Sequence, residues 1–203
     1  METMLQTTTL CRPVHTSSTA SLWVQRADFN ELLNFARAAG SNEVCGYAFV
    51  TKVSPTEFCI VPDSVFITTQ MVERIAAEPD ARGEVEVMDR EEDLPDGTFR
   101  LLWHSHVDGT AKFSGTDFDT HNRIGKTTLL DAMFFLVLNK RGEASANLEQ
   151  YRPFRIGTQI TLNVIDRVPV VDLTPYKDQI DVMCYPFPDE TGSELTLVPA
   201  MSH

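Results

Sequence analysis

The sequence predicts a mixed α/β fold, and three observations carry that prediction. Phe29, Leu32, Leu33 and Ala36 recur at three- and four-residue spacing, which gives residues 29–39 one apolar helical face. Short runs rich in β-branched and aromatic residues follow at 44–51, 57–61 and 99–103, and 132–138 is a continuous apolar run of strand length. Strands and helices interleave without the even rhythm of repeated βαβ units, so a mixed sheet flanked by helices is expected.

For the first helix, Asp28 stands where an N-cap is expected, with Glu31 three residues on as in a capping box, and Gly40 stands at a left-handed stop. Residues 65–68 are a further short strand candidate. Ser114 opens a helix expected to reach about Lys126, and Ile160, Leu162 and Val164 alternate with polar residues as in a half-exposed strand. Residues 1–20 are rich in Thr and Ser without a hydrophobic period and read as a flexible N-terminal arm. A main domain is then expected over 21–160. C-terminal strands over 161–203, punctuated by Pro169, Pro175, Pro186 and Pro188, would extend it. A chain of 203 residues is long enough to bury one sizeable core.

Composition narrows the function. No apolar run reaches the length of about 18 residues that a membrane helix needs, and no basic stretch followed by an apolar one opens the chain. The expectation is a cytoplasmic protein without membrane or secretory segments. A net charge of -12 and a pI near 4.7 argue against nucleic acid as the main partner, since phosphate binding needs clustered Lys and Arg. The four cysteines, Cys11, Cys45, Cys59 and Cys184, form no CxxC pair, so reduced thiols are expected rather than a cysteine-held zinc. Residues 73–96 hold ten acids against three bases. Such a run reads either as a solvated acidic insertion or as an electrostatic rim that draws in a basic substrate segment.

The chemistry concentrates in Trp103-His104-Ser105-His106. Side chains on a strand repeat every second residue, so His104 and His106 project to one face and Ser105 to the other. Two imidazoles converging from one strand suit zinc. Asp108-Gly109 then signals a turn, and Ser114-Gly115-Thr116-Asp117 opens the next helix, with Asp117 in its first turn and able to point back at the strand end. Three ligands with an open fourth position make the catalytic pattern of zinc rather than the structural one. Taken singly, each residue also has a plain account: strand-end histidines, a common helix start, and a surface carboxylate at Glu43. Four residues after Asp117, His121 shares its helical face and is read as a residue behind the ligands or on the surface, with an alternative-ligand role left open. Gly125-Lys126-Thr127 is not a phosphate loop, because Thr120 stands where that motif needs its first glycine.

The spacing His-x-His-x7-Ser-x2-Asp resembles the JAMM motif of the MPN-domain metallopeptidases. Upstream, Asn42-Glu43-Val44-Cys45-Gly46 is similar to the stretch around that family's catalytic glutamate. The resemblance covers about residues 27–155. It implies a mixed β-sheet flanked by helices with zinc at the sheet edge, metal ligands His104, His106 and Asp117, Glu43 as general base, and Ser114 as an aid to the oxyanion. It also implies an isopeptidase or peptidase that cuts after the C-terminal glycine of a ubiquitin-like or sulfur-carrier-like protein. The alternatives are a phage or cell-wall peptide as substrate, or a non-catalytic MPN scaffold. Two departures stand out: the family commonly has proline after the second histidine and before the serine, where this chain has Val107 and Phe113. Both are expected to loosen the loop between the ligands.

Overall fold

The computed structural model describes residues 16–165 and 174–187. Strand β1 (Thr16–Gln25) runs straight into helix α1 (Arg26–Ala38). Strands β2 (Cys45–Lys52), β3 (Glu57–Ile60) and β4 (Phe66–Ile67) follow. A hairpin of β5 (Gln70–Glu73) and β6 (Ala76–Pro79) leads into α2 (Ala81–Glu91). Next come β7 (Phe99–His106), α3 (Gly115–Thr127), β8 (Ala132–Asn139), β9 (Ala144–Gln150) and β10 (Ile156–Ile165). Helix α4 (Thr174–Met183) and strand β11 (Cys184–Pro186) complete the described chain.

Eight strands form one sheet in the order β3-β1-β10-β9-β8-β7-β2-β4, and β3 pairs again with β2, so the sheet curls back on itself. Strand β7 lies inside it, antiparallel to β2 and parallel to β8. The smaller sheet has the order β11-β5-β6 and, among the described residues, leaves β6 as an edge.

Alternation along the central strands sorts the core into two faces. Ala48, Val50, Leu101, Trp103, Phe134 and Leu136 pack with the buried face of α1. Their neighbours Tyr47, Phe49, Leu102, Met133 and Phe135 cluster on the other side, with Val87 of α2 and the partly buried Phe113 and Ile124. Fully burying such a side chain is worth about 1.5–3 kcal/mol, which locks the register that decides where every β7 side chain points. His104 and His106 share the face of Leu102, so they emerge on the side of α2 and α3.

Four expectations are corrected. Helix α1 begins at Arg26 with Gln25 as its N-cap and no side-chain cap; Asp28 is not the cap. Because β1 feeds the helix without a loop, Asp28 turns inward and its carboxylate accepts the amide of Asp63 at 2.9 Å, in the turn where Asp63 takes a φ of 59°. Residues 16–20, expected within a flexible arm, belong to β1, which pairs in parallel with β10. Thr and Ser there show no apolar period, and sheet pairing decides their state. Residues 1–15 lie outside the described residues. The C-terminal stretch contains a helix where strands were expected: α4 admits Pro175 in its first turn, and Ile180 joins the α1 cluster. Pro169 and Pro188 lie outside the described residues.

The fourth correction concerns the acidic stretch, which is built into the fold rather than a solvated insertion. Asp80 caps α2 by accepting the amides of Arg82 and Gly83 at 2.8 and 2.9 Å. Glu84 accepts the Tyr47 hydroxyl at 2.8 Å, Glu86 the Thr69 hydroxyl at 2.7 Å, and Glu91 the guanidinium of Arg100. Asp89, Glu92, Asp93 and Asp96 do face solvent. Gly40 fulfils its expectation, with a φ of 64° and its amide on Arg37.

Candidate metal centre

The end of β7 carries the site. His104 Nε2 lies 3.2 Å from His106 Nε2 and 3.2 Å from Asp117 Oδ1, and His106 Nε2 lies 3.7 Å from Asp117 Oδ2. The three side chains offer ligand atoms all within 4.8 Å of one another. Tetrahedral zinc with bonds of about 2.0–2.1 Å separates its ligand atoms by roughly 3.3 Å. The observed spacings bracket that value, so this donor set of two imidazoles and a carboxylate fits zinc.

Each of the three side chains is placed by local structure. His106 Nδ1 lies 3.0 Å from the Thr110 carbonyl, a contact that puts the proton on Nδ1 and leaves Nε2 bare for a metal. Ser114 caps α3: its hydroxyl accepts the Asp117 amide at 3.3 Å, while the Asp117 carboxylate accepts the Ser114 amide at 2.5 Å. This reciprocal box holds Asp117 at the mouth of the helix, facing β7. Burial alone would raise the Asp117 carboxyl, but the neighbouring imidazoles of His104 and His106 outweigh it and hold the group well below the usual carboxylate range. In turn Asp117 draws the His106 imidazole above its ordinary value.

The loop between the ligands is not loose, despite Val107 and Phe113. Asn139 and Arg141 both donate to the Gly109 carbonyl at 2.8 Å. The Phe113 ring packs beside His104, with centroids 6.3 Å apart. Asp108, which the sequence assigns to the turn, also pairs with Arg74 across the site at 2.8 Å.

Glu43 comes to the centre through β2. Cys45 is in register with His104, and two residues further back Glu43 falls opposite His106. Ser105, on the face away from the histidines, accepts the Val44 amide at 3.0 Å through its hydroxyl, and the Glu43 amide donates to the Glu73 carbonyl at 2.8 Å. The buried Gln70 side chain holds the amide and the carbonyl of Cys45, each at 2.8 Å. Gly46 is needed here, because a Cβ would stand 2.1 Å from the Phe66 carbonyl oxygen and 2.8 Å from the Trp103 ring. Cys45 is a small buried side chain whose thiol is pushed up by burial.

Burial, together with the charges of Asp117 and Glu73, pushes the Glu43 carboxyl up to about 7 even against the favourable pull of His106. A base poised near neutrality can take a proton and give it back. The same shift has a cost. The folded protein holds this proton up to about pH 7, whereas the ordinary value is 4.5, so the residue's stabilising contribution is full below 4.5 and is lost as pH rises toward 7. Glu43→Gln in the metal-free protein is therefore expected to raise the melting temperature by roughly 2–6 °C at about pH 8 and to leave it nearly unchanged near pH 4.5. Thermal melts at both pH values check this, and equal shifts at the two would contradict it.

Two hollows flank the three side chains. One, of about 260 Å³, is bounded by β6, His104, Phe135 and α3, and the other, of about 420 Å³, by His106, Ser114 and Arg74. Glu43, Ile75, Thr116 and Asp117 border both. Glu73, Glu78 and Glu84 line the first, whereas Glu91, Glu92 and Asp93 line neither. Thus only part of the acidic stretch faces the site.

No helix among the described residues is long and apolar enough to cross a membrane. A search of curated proteins finds no match. The solution structure of protein DSY2949 from Desulfitobacterium hafniense is similar at 15% identity with a TM-score of 0.50, over 72% of this chain and 94% of that one, a likeness that speaks to the fold alone. The model of the family described as prokaryotic homologs of the JAB domain matches residues 25–152, which spans α1, β7, α3 and all the residues of the centre. The chain belongs to that family of prokaryotic JAB-domain proteins.

Proposed function

We propose that this protein is a zinc-dependent peptidase that hydrolyses the bond after the C-terminal glycine of a ubiquitin-like or sulfur-carrier-like protein. The observation that carries the hydrolytic reading is the meeting of a zinc-sized triangle of donors with the Glu43 carboxylate, which borders both hollows beside it. Zinc bound there supplies Lewis acidity and lowers the pKa of water to about 7. Glu43 accepts the proton of the attacking water and returns it to the leaving amine, so amide and water become carboxylate and amine. The Ser114 hydroxyl accepts the Asp117 amide, which leaves its own proton free to meet the developing oxyanion.

The substrate reading draws on the hollow beside His104. Its wall is β6, an edge strand whose Ala76 and Ala77 are small, so an extended tail can add to it through main-chain bonds. A glycine-ended tail is the kind of segment that fits so close to the ligands. The test compares zinc-loaded protein on a peptidyl-Gly-Gly-aminocoumarin and on a cell-wall muropeptide. Release of aminocoumarin, abolished when the last glycine is replaced by valine, is the expected result. Cleavage of the muropeptide alone would move the substrate to the cell wall, and cleavage of neither would favour a non-catalytic scaffold.

A further inference from the structure

Helix α3 carries Asp117, yet among its 13 residues only His121 is fully buried. The imidazole stacks on Phe135 of β8 with centroids 3.6 Å apart and planes at 25°. Phe113 and Phe118 close around it edge-on at 5.2 and 5.8 Å. Behind the ring, Nδ1 lies 3.6 Å from Oε1 of Glu149, which is 1% exposed on β9. That is ion-pair distance, slightly beyond a direct hydrogen bond.

The place of Glu149 is itself built. Arg155 approaches its other oxygen at 3.8 Å. In the β9–β10 register Glu149 faces Gly157, where a Cβ would stand 2.6 Å from the carboxylate. Burying a carboxylate is costly unless partners compensate it, and a leucine at 121 would anchor a helix without that cost. What a polar anchor adds is direction. An apolar contact tolerates sliding and tilting, while an imidazole held between a ring face and a fixed carboxylate does not.

His121 and Asp117 lie four residues apart on one helical face, with Cβ atoms about 5–6 Å apart. Any tilt of α3 about its anchor moves the Asp117 carboxylate against His104 and His106, which are fixed separately on β7. We propose that His121 and Glu149 form a positioning pair, acting through α3, that sets where Asp117 stands in the metal centre. The proposal rests on the zinc reading of that centre.

Chelator competition would measure zinc dissociation constants for the full chain and for His121→Phe, Glu149→Gln, the double variant and His121→Asn, alongside melts of the metal-free forms. Phenylalanine keeps a ring on Phe135 but no nitrogen, glutamine keeps the shape of Glu149 with an amide in place of the carboxyl, and asparagine keeps a donor near Nδ1. The first two substitutions are expected to weaken zinc binding by about 10–100-fold. The double variant should be no weaker than the worse single one, since both break one link, and asparagine should restore affinity to within about threefold. Variants that melt lower yet bind zinc within twofold of wild type would overturn the proposal, as would fully additive losses. If His121→Phe does not fold, Glu149→Gln and His121→Asn decide alone by the same criteria. A wild-type chain that takes up no zinc would end the metal reading itself, whereas normal wild-type binding with unchanged variants would end only this inference.

Discussion

Glu43→Gln is expected to retain zinc at wild-type stoichiometry while kcat on a cleavable glycyl substrate falls by about 10²–10⁴. The amide keeps the size of the carboxylate, and none of the three ligand atoms belongs to residue 43. The backbone at this point is held independently of the side chain, by the Glu73 carbonyl and by the β2–β7 ladder, so the substitution leaves the site's frame in place. What is lost is the ability to take a proton at neutral pH. The loss should fall on kcat and kcat/KM alike, because proton transfer matters only as the transition state forms. A variant that turned over within a few-fold of wild type would remove Glu43 from the role of base.

His104→Ala and Asp117→Ala are each expected to strip zinc from the protein during ordinary purification. Two remaining ligands cannot define the site, and the deletion also disturbs its neighbours. Without Asp117, the Ser114 amide loses its acceptor and α3 loses half of its capping box, so this variant should also melt lower, by the equivalent of about 1 kcal/mol. His104→Ala leaves that cap intact and should lose metal with a smaller change in the metal-free melting temperature. Elemental analysis beside thermal melts separates the two effects. His121→Ala removes no ligand atom, so it stands apart from this pair: on the account above it weakens the centre without dismantling it.

The clustering of His104, His106 and Asp117 was legible in the sequence because strand period and cap chemistry are local rules. Two histidines at i and i+2 on a strand must share a face, and Ser114 three residues before Asp117 is a helix start whatever surrounds it. Glu43 was legible only by resemblance, since nothing local tells residue 43 that it will stand opposite residue 106. The same limit hid Glu149. Strand β9, reading ASANLEQ, has a weak apolar period, and its strand state comes from β8 on one side and β10 on the other. His121 was placed correctly beside Asp117, but its burial depends on Phe135, a residue of the following strand. The acidic stretch misled for a different reason. Charge density in sequence says nothing of partners, and Tyr47, Thr69, Arg100 and the amides of α2 turned several of those carboxylates into structural acceptors.

X-ray absorption at the zinc edge on the zinc-loaded protein decides which atoms hold the metal. The expected first shell contains nitrogen and oxygen alone at about 2.0–2.2 Å, with the multiple-scattering signature of two imidazoles, and it disappears in Asp117→Ala. A sulfur shell at about 2.3 Å, or an unchanged spectrum at full zinc content in Asp117→Ala, would put the metal elsewhere and contradict the assignment of His104, His106 and Asp117 as its ligands.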